Sequence, residues 1–173
     1  MSKLTVAKFG GTSVADYQAM LRCASIIKND PSNRLVIVSA SAGVTNLLVR
    51  LSESNVPQAE QAEIIEAIRQ IQYNITQHLS DEVELNQKID NLLAELATYA
   101  QVQSTSACSR IADAILSFGE QMSSRIFAKV LQSIGVDGHY FDVRDVMKTN
   151  SFYGKAVVNM QMLSDNCLQK LAP

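Results

Sequence analysis

Through the middle of the chain apolar residues recur at three- and four-residue steps, at Ile64, Ile68, Ile71, Ile75 and Leu79 and again at Leu85, Ile89, Leu92, Leu96 and Tyr99. That is the spacing of one face of an α-helix, and the polar break at Ser80-Asp81 divides the run into an antiparallel helical hairpin. A third stripe, Ile111, Ile115, Phe118, Met122, Ile126 and Val130, predicts a long helix ending at Gly135, a residue suited to a left-handed stop. Nearer the start the pattern changes. Leu4 to Phe9 reads as a strand stopped by Gly10-Gly11, and Ser13 with Asp16 three residues on forms a capping-box signature for a helix from about Ser13 to Lys28. Pro31-Ser32-Asn33 makes a turn into Leu35-Val36-Ile37-Val38, a continuous apolar run expected of a parallel strand covered on both faces. A small, polar loop, Ser39 to Asn46, leads to a short helix over Leu47–Leu51. His139 to Val143 predicts another strand, Thr149 to Gly154 a turn, and the segment from about Asn159 to Leu171 an amphipathic helix.

Strands alternating with helices, interrupted by a helical insertion at about 57–104, predict one α/β domain over residues 1–173 with no internal repeat or linker. The 173 residues, 47% hydrophobic and 18% charged, hold enough apolar material for one core, which excludes a disordered chain. With 15 Lys+Arg against 17 Asp+Glu, nothing offers the positive field that a nucleic-acid backbone or an anionic membrane requires. The expected partners are small molecules and other protein chains. No apolar run approaches the ~20 residues of a membrane span, and the opening MSKLTVAKFGG lacks a signal-peptide layout, so a cytoplasmic address is expected. Cys23, Cys108 and Cys167 lie far apart in no CxxC pair, as reduced thiols do, and neither His78 nor His139 has a second ligand at metal spacing. No metal site is expected.

Three places could carry chemistry. Lys8 precedes a double glycine at the end of the first strand, where bare backbone can approach an anion and present successive N–H donors. A helix starting near Ser13 would aim its positive end at the same spot, so three sources of positive potential would converge on a phosphate. The spacing is neither GxxxxGK[ST] nor GxGxxG, and a glycine pair after a strand also serves simply as a tight turn. The second loop offers Ser39, Ser41 and Thr45 hydroxyls with Gly43, at the strand end where open α/β sheets bind ligands; an ordinary helix-capping loop has the same composition. Glu120 lies opposite the apolar stripe of its helix, facing water or a cleft. Beside it Gly119 costs about 1 kcal/mol relative to alanine, which marks either close approach of a ligand or a packing contact.

In order along the chain, Lys8-Phe9-Gly10-Gly11-Thr12-Ser13, Ser39-Ala40-Ser41-Ala42-Gly43-Val44-Thr45-Asn46, Phe118-Gly119-Glu120-Gln121-Met122-Ser123 and Phe141-Asp142-Val143-Arg144 closely resemble the aspartokinases, and the loop SASAGVTNLL is most similar to the single-function, lysine-regulated type. The resemblance implies a partial three-layer αβα sandwich of the amino-acid-kinase fold. It implies transfer of the γ-phosphoryl group of ATP, with Mg²⁺, to the side-chain carboxylate of L-aspartate, at the entry to lysine, threonine and methionine biosynthesis. It places Lys8 against the phosphoryl group in flight, with Gly10, Gly11 and Ser13 around the phosphates. Ser39, Ala40 and Thr45 would line the aspartate pocket, and Glu120 would pair with the substrate ammonium. Asp142 and Arg144 fall near the substrate end of the family pattern, and Ser151 stands where that pattern has an acid.

The same resemblance implies that much of the kinase domain and its regulatory domains lie outside these residues. The chain is then expected to be an amino-terminal portion with little activity of its own, whose complete form is a homo-oligomer. A parallel sheet cut partway exposes an edge and apolar faces, so self-association is expected. Two other readings stay open: a related enzyme such as acetylglutamate kinase, or a non-catalytic binding or assembly module on the same half-domain.

Overall fold

The computed structural model describes residues 5–171. Strand β1 (Thr5–Phe9) is followed by a 3-10 turn (Gly11–Val14), helix α1 (Tyr17–Asn29) and strand β2 (Asn33–Val38). Then come α2 (Val44–Leu51), α3 (Gln58–Thr76), α4 (Glu82–Thr105), α5 (Ser109–Ser133), a second 3-10 turn (Val143–Asp145) and α6 (Met160–Lys170). The two strands pair in parallel with Val6 beside Leu35, Lys8 beside Ile37 and Phe9 beside Val38. The α/β class expected from the sequence is the one observed.

Helix α5 organises the core. Its Ile115, Met122, Ile126 and Val130 are fully buried, each stabilising the fold by about 1.5–3 kcal/mol through removal of apolar surface from water. It packs against α1, α2, α4 and β2, and its Phe127 ring lies 5.9 Å from that of Phe9. The helix ends where Gly135 takes φ +81°, as its sequence predicts. Helices α3 and α4 form the expected hairpin. Asp90 joins them, accepting from Arg69 Nε at 2.9 Å and from the Tyr73 hydroxyl at 2.7 Å, and Lys129 on α5 ties down the connecting turn through Asp81 at 2.6 Å. Burial first, and then the Asp90 carboxylate, push the Tyr73 phenol up to about 12.

Three local expectations are corrected. Helix α1 starts at Tyr17, because Asp16 itself caps it, accepting from Ala19 N at 2.8 Å; the Ser13 hydroxyl makes no cap. Strand β2 is covered on one face only: Phe9 and Val38 face the helices, whereas Leu35 and Ile37 remain 37% and 40% exposed, beside an exposed Val6. Residues 139–142 are not a strand, since no ladder partner pairs with them among the described residues. Arg144 instead folds back on Asp142 and draws the chain into the second 3-10 turn. Beyond it Thr149 bridges to Val158 in a small hairpin, and Asn159 caps α6, which buries no residue.

Candidate phosphate and amino-acid site

The carboxyl ends of β1 and β2 open into two loops that meet. Phe9 O accepts from Ser39 N at 3.1 Å, and the chain after Phe9 turns through Gly10 and Gly11 into the 3-10 turn, where Gly10 O accepts from Ser13 N at 3.0 Å. A Cβ on Gly11 would lie 2.9 Å from the Ala40 carbonyl oxygen, so the two loops touch backbone to backbone only because position 11 has no side chain. The Ser39 loop is itself shaped by glycine: Gly43, at φ +86°, immediately precedes α2, and Val44 N donates to Ser41 O at 3.1 Å. Ser41 is buried, with a hydroxyl that has no protein partner.

Helix α5 brings Glu120 to the same place. Ala40 N donates to Glu120 Oε1 at 3.3 Å across 80 residues of sequence, and Glu120 Oε2 accepts nothing among the described residues. This approach depends on Gly119, where an added Cβ would stand 2.6 Å from the Ala40 Cβ and 3.1 Å from Leu48 Cδ1. The mid-helix glycine therefore marks a packing contact that seats the neighbouring carboxylate.

Thr45 and Glu120 line one hollow of about 430 Å³ together with Val49, Asp113, Leu116 and Ser117. Lys8, Ser39 and Ala40 are not among its lining residues. Phe9 faces α5, so by the alternation of a strand Lys8 lies on the opposite, open face of the sheet, exposed and without an ion pair among the described residues. The positive end of α1 is also displaced from the glycine turn. It begins four residues beyond Ser13, with the Asp16 carboxylate at its tip, so two sources of positive potential remain at the turn instead of three: the lysine and the backbone donors.

Asp142 and Arg144 stand on the neighbouring side of α5. Arg144 donates to both Asp142 oxygens, at 2.9 Å from Nε to Oδ1 and 2.6 Å from Nη2 to Oδ2, and also to Gln121 Oε1 at 2.9 Å. This guanidinium holds the Asp142 carboxyl down at about 2. The Arg125 guanidinium covers the Tyr140 ring, 3.8 Å from its centroid, and closes the same cluster. Arg144 and Asp142 neutralise each other and Arg125 rests on the Tyr140 ring, an arrangement that suits a structural brace for the chain leaving α5.

The sequence reading missed Asp113 and Ser117. Both lie on the face of α5 that carries Glu120, seven and three residues earlier, and that spacing could have found them.

The amino acid kinase family model matches residues 3–171. Over 173 residues the chain is 40% identical to the lysine-sensitive aspartokinase 3 of Escherichia coli (strain K12), covering 100% of this chain and 38% of that protein. The crystal structure of E. coli aspartokinase III in complex with aspartate and ADP superimposes with a TM-score of 0.94 at 39% identity, over 98% of this chain and 38% of the other. Clostridium acetobutylicum aspartate kinase, at 20% identity and a TM-score of 0.74, over 98% of this chain and 36% of that one, shares the fold. The chain thus spans 38% of the E. coli relative's length. By the extent of the family match and the fold it shares with these kinases, the chain belongs to the amino acid kinase family.

Proposed function

We propose that residues 1–173 are the amino-terminal portion of an aspartate kinase domain, with 57–104 as a helical insertion, and that the complete enzyme passes the γ-phosphoryl group of ATP to the side-chain carboxylate of L-aspartate. In this reading Lys8 neutralises charge on the transferring group, while Gly10, Gly11 and Ser13 surround the nucleotide phosphates. Phosphoryl transfer asks for positioning and charge neutralisation more than covalent chemistry, and a lysine beside bare backbone answers that need. Thr45 lines the amino-acid pocket, Ser39 and Ala40 belong to the loop that borders it, and the open oxygen of Glu120 receives the substrate's ammonium as a charge-assisted hydrogen bond. The observation that carries the reading is the link from Ala40 N to Glu120 Oε1, which joins two distant motifs at the rim of the hollow lined by Thr45.

Mg²⁺ would accompany ATP in such a reaction and would supply neutralisation of the phosphate charge. Among the described residues no group of three His, Cys, Asp or Glu could hold a metal ion, so these residues do not build a cage for it. No helix among them is long and apolar enough to cross a membrane. A cytoplasmic, homo-oligomeric enzyme, of which this portion alone turns over little or no substrate, completes the proposal.

Lys8→Ala in the complete enzyme tests it. Turnover should fall by about a hundredfold or more while the Michaelis constant for L-aspartate moves little, because the lysine acts on charge in flight. Unchanged turnover would remove Lys8 from the chemistry.

A further inference from the structure

All six residues that line the hollow come from two helices, Thr45 and Val49 from α2 and Asp113, Leu116, Ser117 and Glu120 from α5. Its width is therefore the spacing of α2 and α5. At the end nearest Glu120 packing sets that spacing, since a Cβ on Gly119 would meet Leu48 Cδ1 at 3.1 Å. Among the described residues no hydrogen bond joins the two helices directly. At the opposite end a third element joins them. Gln103, near the end of α4 and only 4% exposed, donates from Nε2 to Ser52 O at 2.7 Å and accepts at Oε1 from Cys108 N at 3.0 Å. Ser52 caps the carboxyl end of α2, and Cys108 caps the amino end of α5. Backbone groups at helix ends lack intrahelical partners, so one amide satisfies an orphan of each helix. The chain around it supports the same junction: Ser104 Oγ donates to Val56 O at 2.9 Å and Asn55 N to Ser104 O at 3.2 Å.

We propose that Gln103 is a positioning residue: its side-chain amide clamps the carboxyl end of α2 to the amino end of α5 and so fixes the width of the hollow that takes the amino-acid substrate. The part that concerns substrate rests on the aspartate reading above; the clamp does not. One partner of the clamp is a carbonyl and the other an N–H. The side chain between them must donate at one atom and accept at its neighbour, which a carboxamide does and neither an ionised carboxylate nor a hydrocarbon of the same length can. Burial makes the demand strict, because a buried polar group left unpaired is costly. With Gly119 against Leu48 at one end and Gln103 at the other, the two helices are fixed on both sides of the hollow.

Hydrogen exchange in this chain and steady-state kinetics of the complete enzyme test the two parts. Gln103→Met keeps the length of the side chain and removes both bonds. Exchange of the Cys108 amide should quicken about tenfold in Gln103→Met. In Gln103→Glu, which keeps an oxygen to accept from Cys108 N, it should stay within about twofold of the parent. An unchanged rate in Gln103→Met, or a rate in Gln103→Glu as fast as in Gln103→Met, would overturn the clamp. In the complete enzyme Gln103→Met should raise the Michaelis constant for L-aspartate about fivefold and leave that for ATP within about twofold, because the hollow takes the amino acid. Ile89→Val trims a buried residue well before Gln103 on the same helix; it should lower thermal stability and leave both constants unchanged. An unmoved constant for L-aspartate in Gln103→Met, equal rises for both substrates, or the same rise in Ile89→Val would overturn the positioning role. A parent enzyme that does not phosphorylate L-aspartate would overturn the aspartate reading and the positioning role together, while the exchange comparison still decides the clamp.

Discussion

Gly119 lies against Ala40 so closely that a Cβ added to it would stand 2.6 Å from the Ala40 Cβ. Helix α5 can therefore seat Glu120 on the Ala40 N–H only because the preceding residue has no side chain. On its other side Ala40 meets Gly11, whose own missing Cβ would come within 2.9 Å of the Ala40 carbonyl oxygen. A small residue clasped between two glycines draws the turn after β1, the loop after β2 and the middle of α5 to one point. This packing brings Gly11, Ala40 and Glu120 together, while Lys8 stays on the open face of the sheet.

Gly119→Ala sets two effects against each other. Alanine in mid-helix gains about 1 kcal/mol over glycine, whereas overpacking a tight contact costs about 1–3 kcal/mol. The Ala40 Cβ has no rotamer to move into, and the Ser39 loop is held by Phe9 O and Gly11, so the clash should win. A net loss of up to about 2 kcal/mol is expected in urea unfolding. A variant more stable than the parent would mean that α5 and the loop separate without cost.

Glu120→Gln keeps an oxygen able to accept from Ala40 N and removes the charge. Folding stability should stay within about 0.5 kcal/mol of the parent, as for exchanges at exposed sites. In the complete enzyme the Michaelis constant for L-aspartate should rise about tenfold or more, because a charge-assisted bond to an ammonium is replaced by a neutral one. Unchanged steady-state kinetics would place the substrate ammonium elsewhere.

Acid should loosen the brace behind the site. The Asp142 carboxyl is held at about 2 against an ordinary value of 3.8, chiefly by its hydrogen bonds from Arg144. A carboxyl depressed in the folded state contributes stability that is complete above its unfolded value and is lost as pH falls through the folded one. The contribution should therefore fade between about pH 4 and pH 2. Arg144 is more than half exposed, so solvent screening keeps the effect small. Comparing acid unfolding of the parent with Asp142→Asn checks it: the variant should be less stable near neutrality, and the difference should shrink to a small fraction by about pH 2. A difference that persists unchanged to that pH would show the pair contributes nothing through its charge.

What was legible in the sequence follows from the range of each interaction. The stripes along α3, α4 and α5 were readable because helical periodicity is local, and Gly135 marked a stop because its requirement is a backbone angle. The segment at His139 misled because a strand needs a partner, and neither apolar content nor β-branching supplies one; Arg144 gave the chain a nearer alternative. Ser13 and Asp16 are both good capping residues, and spacing alone could not decide which of them takes the helix. Glu120 could be put on the polar face of α5, but its contact with Ala40 spans 80 positions and depends on packing that no local pattern records. Asp113 was missed for the opposite reason. Its partner is a backbone N–H, which every residue except proline offers and which therefore leaves no trace in residue type.

The open face of the sheet should make this chain self-associate. Val6 is 60% exposed and lies beside Leu35, with Ile37 next along β2, so three apolar side chains form a contiguous exposed row interrupted only by Lys8. Each strand also has an edge with no ladder partner among the described residues, a template for pairing with another chain. Sedimentation velocity should show a mean size that grows with concentration through the micromolar range. The double variant Leu35→Thr with Ile37→Thr should reduce that growth, since threonine keeps the β-branched preference for a strand while removing apolar surface. This substitution separates stickiness of the face from weakening of the strand, because thermal unfolding should shift by no more than a few degrees for positions already more than a third exposed. Association as strong in the double variant as in the parent would move the contact to another surface, where the exposed Met160 and Leu168 of α6 are the next to substitute.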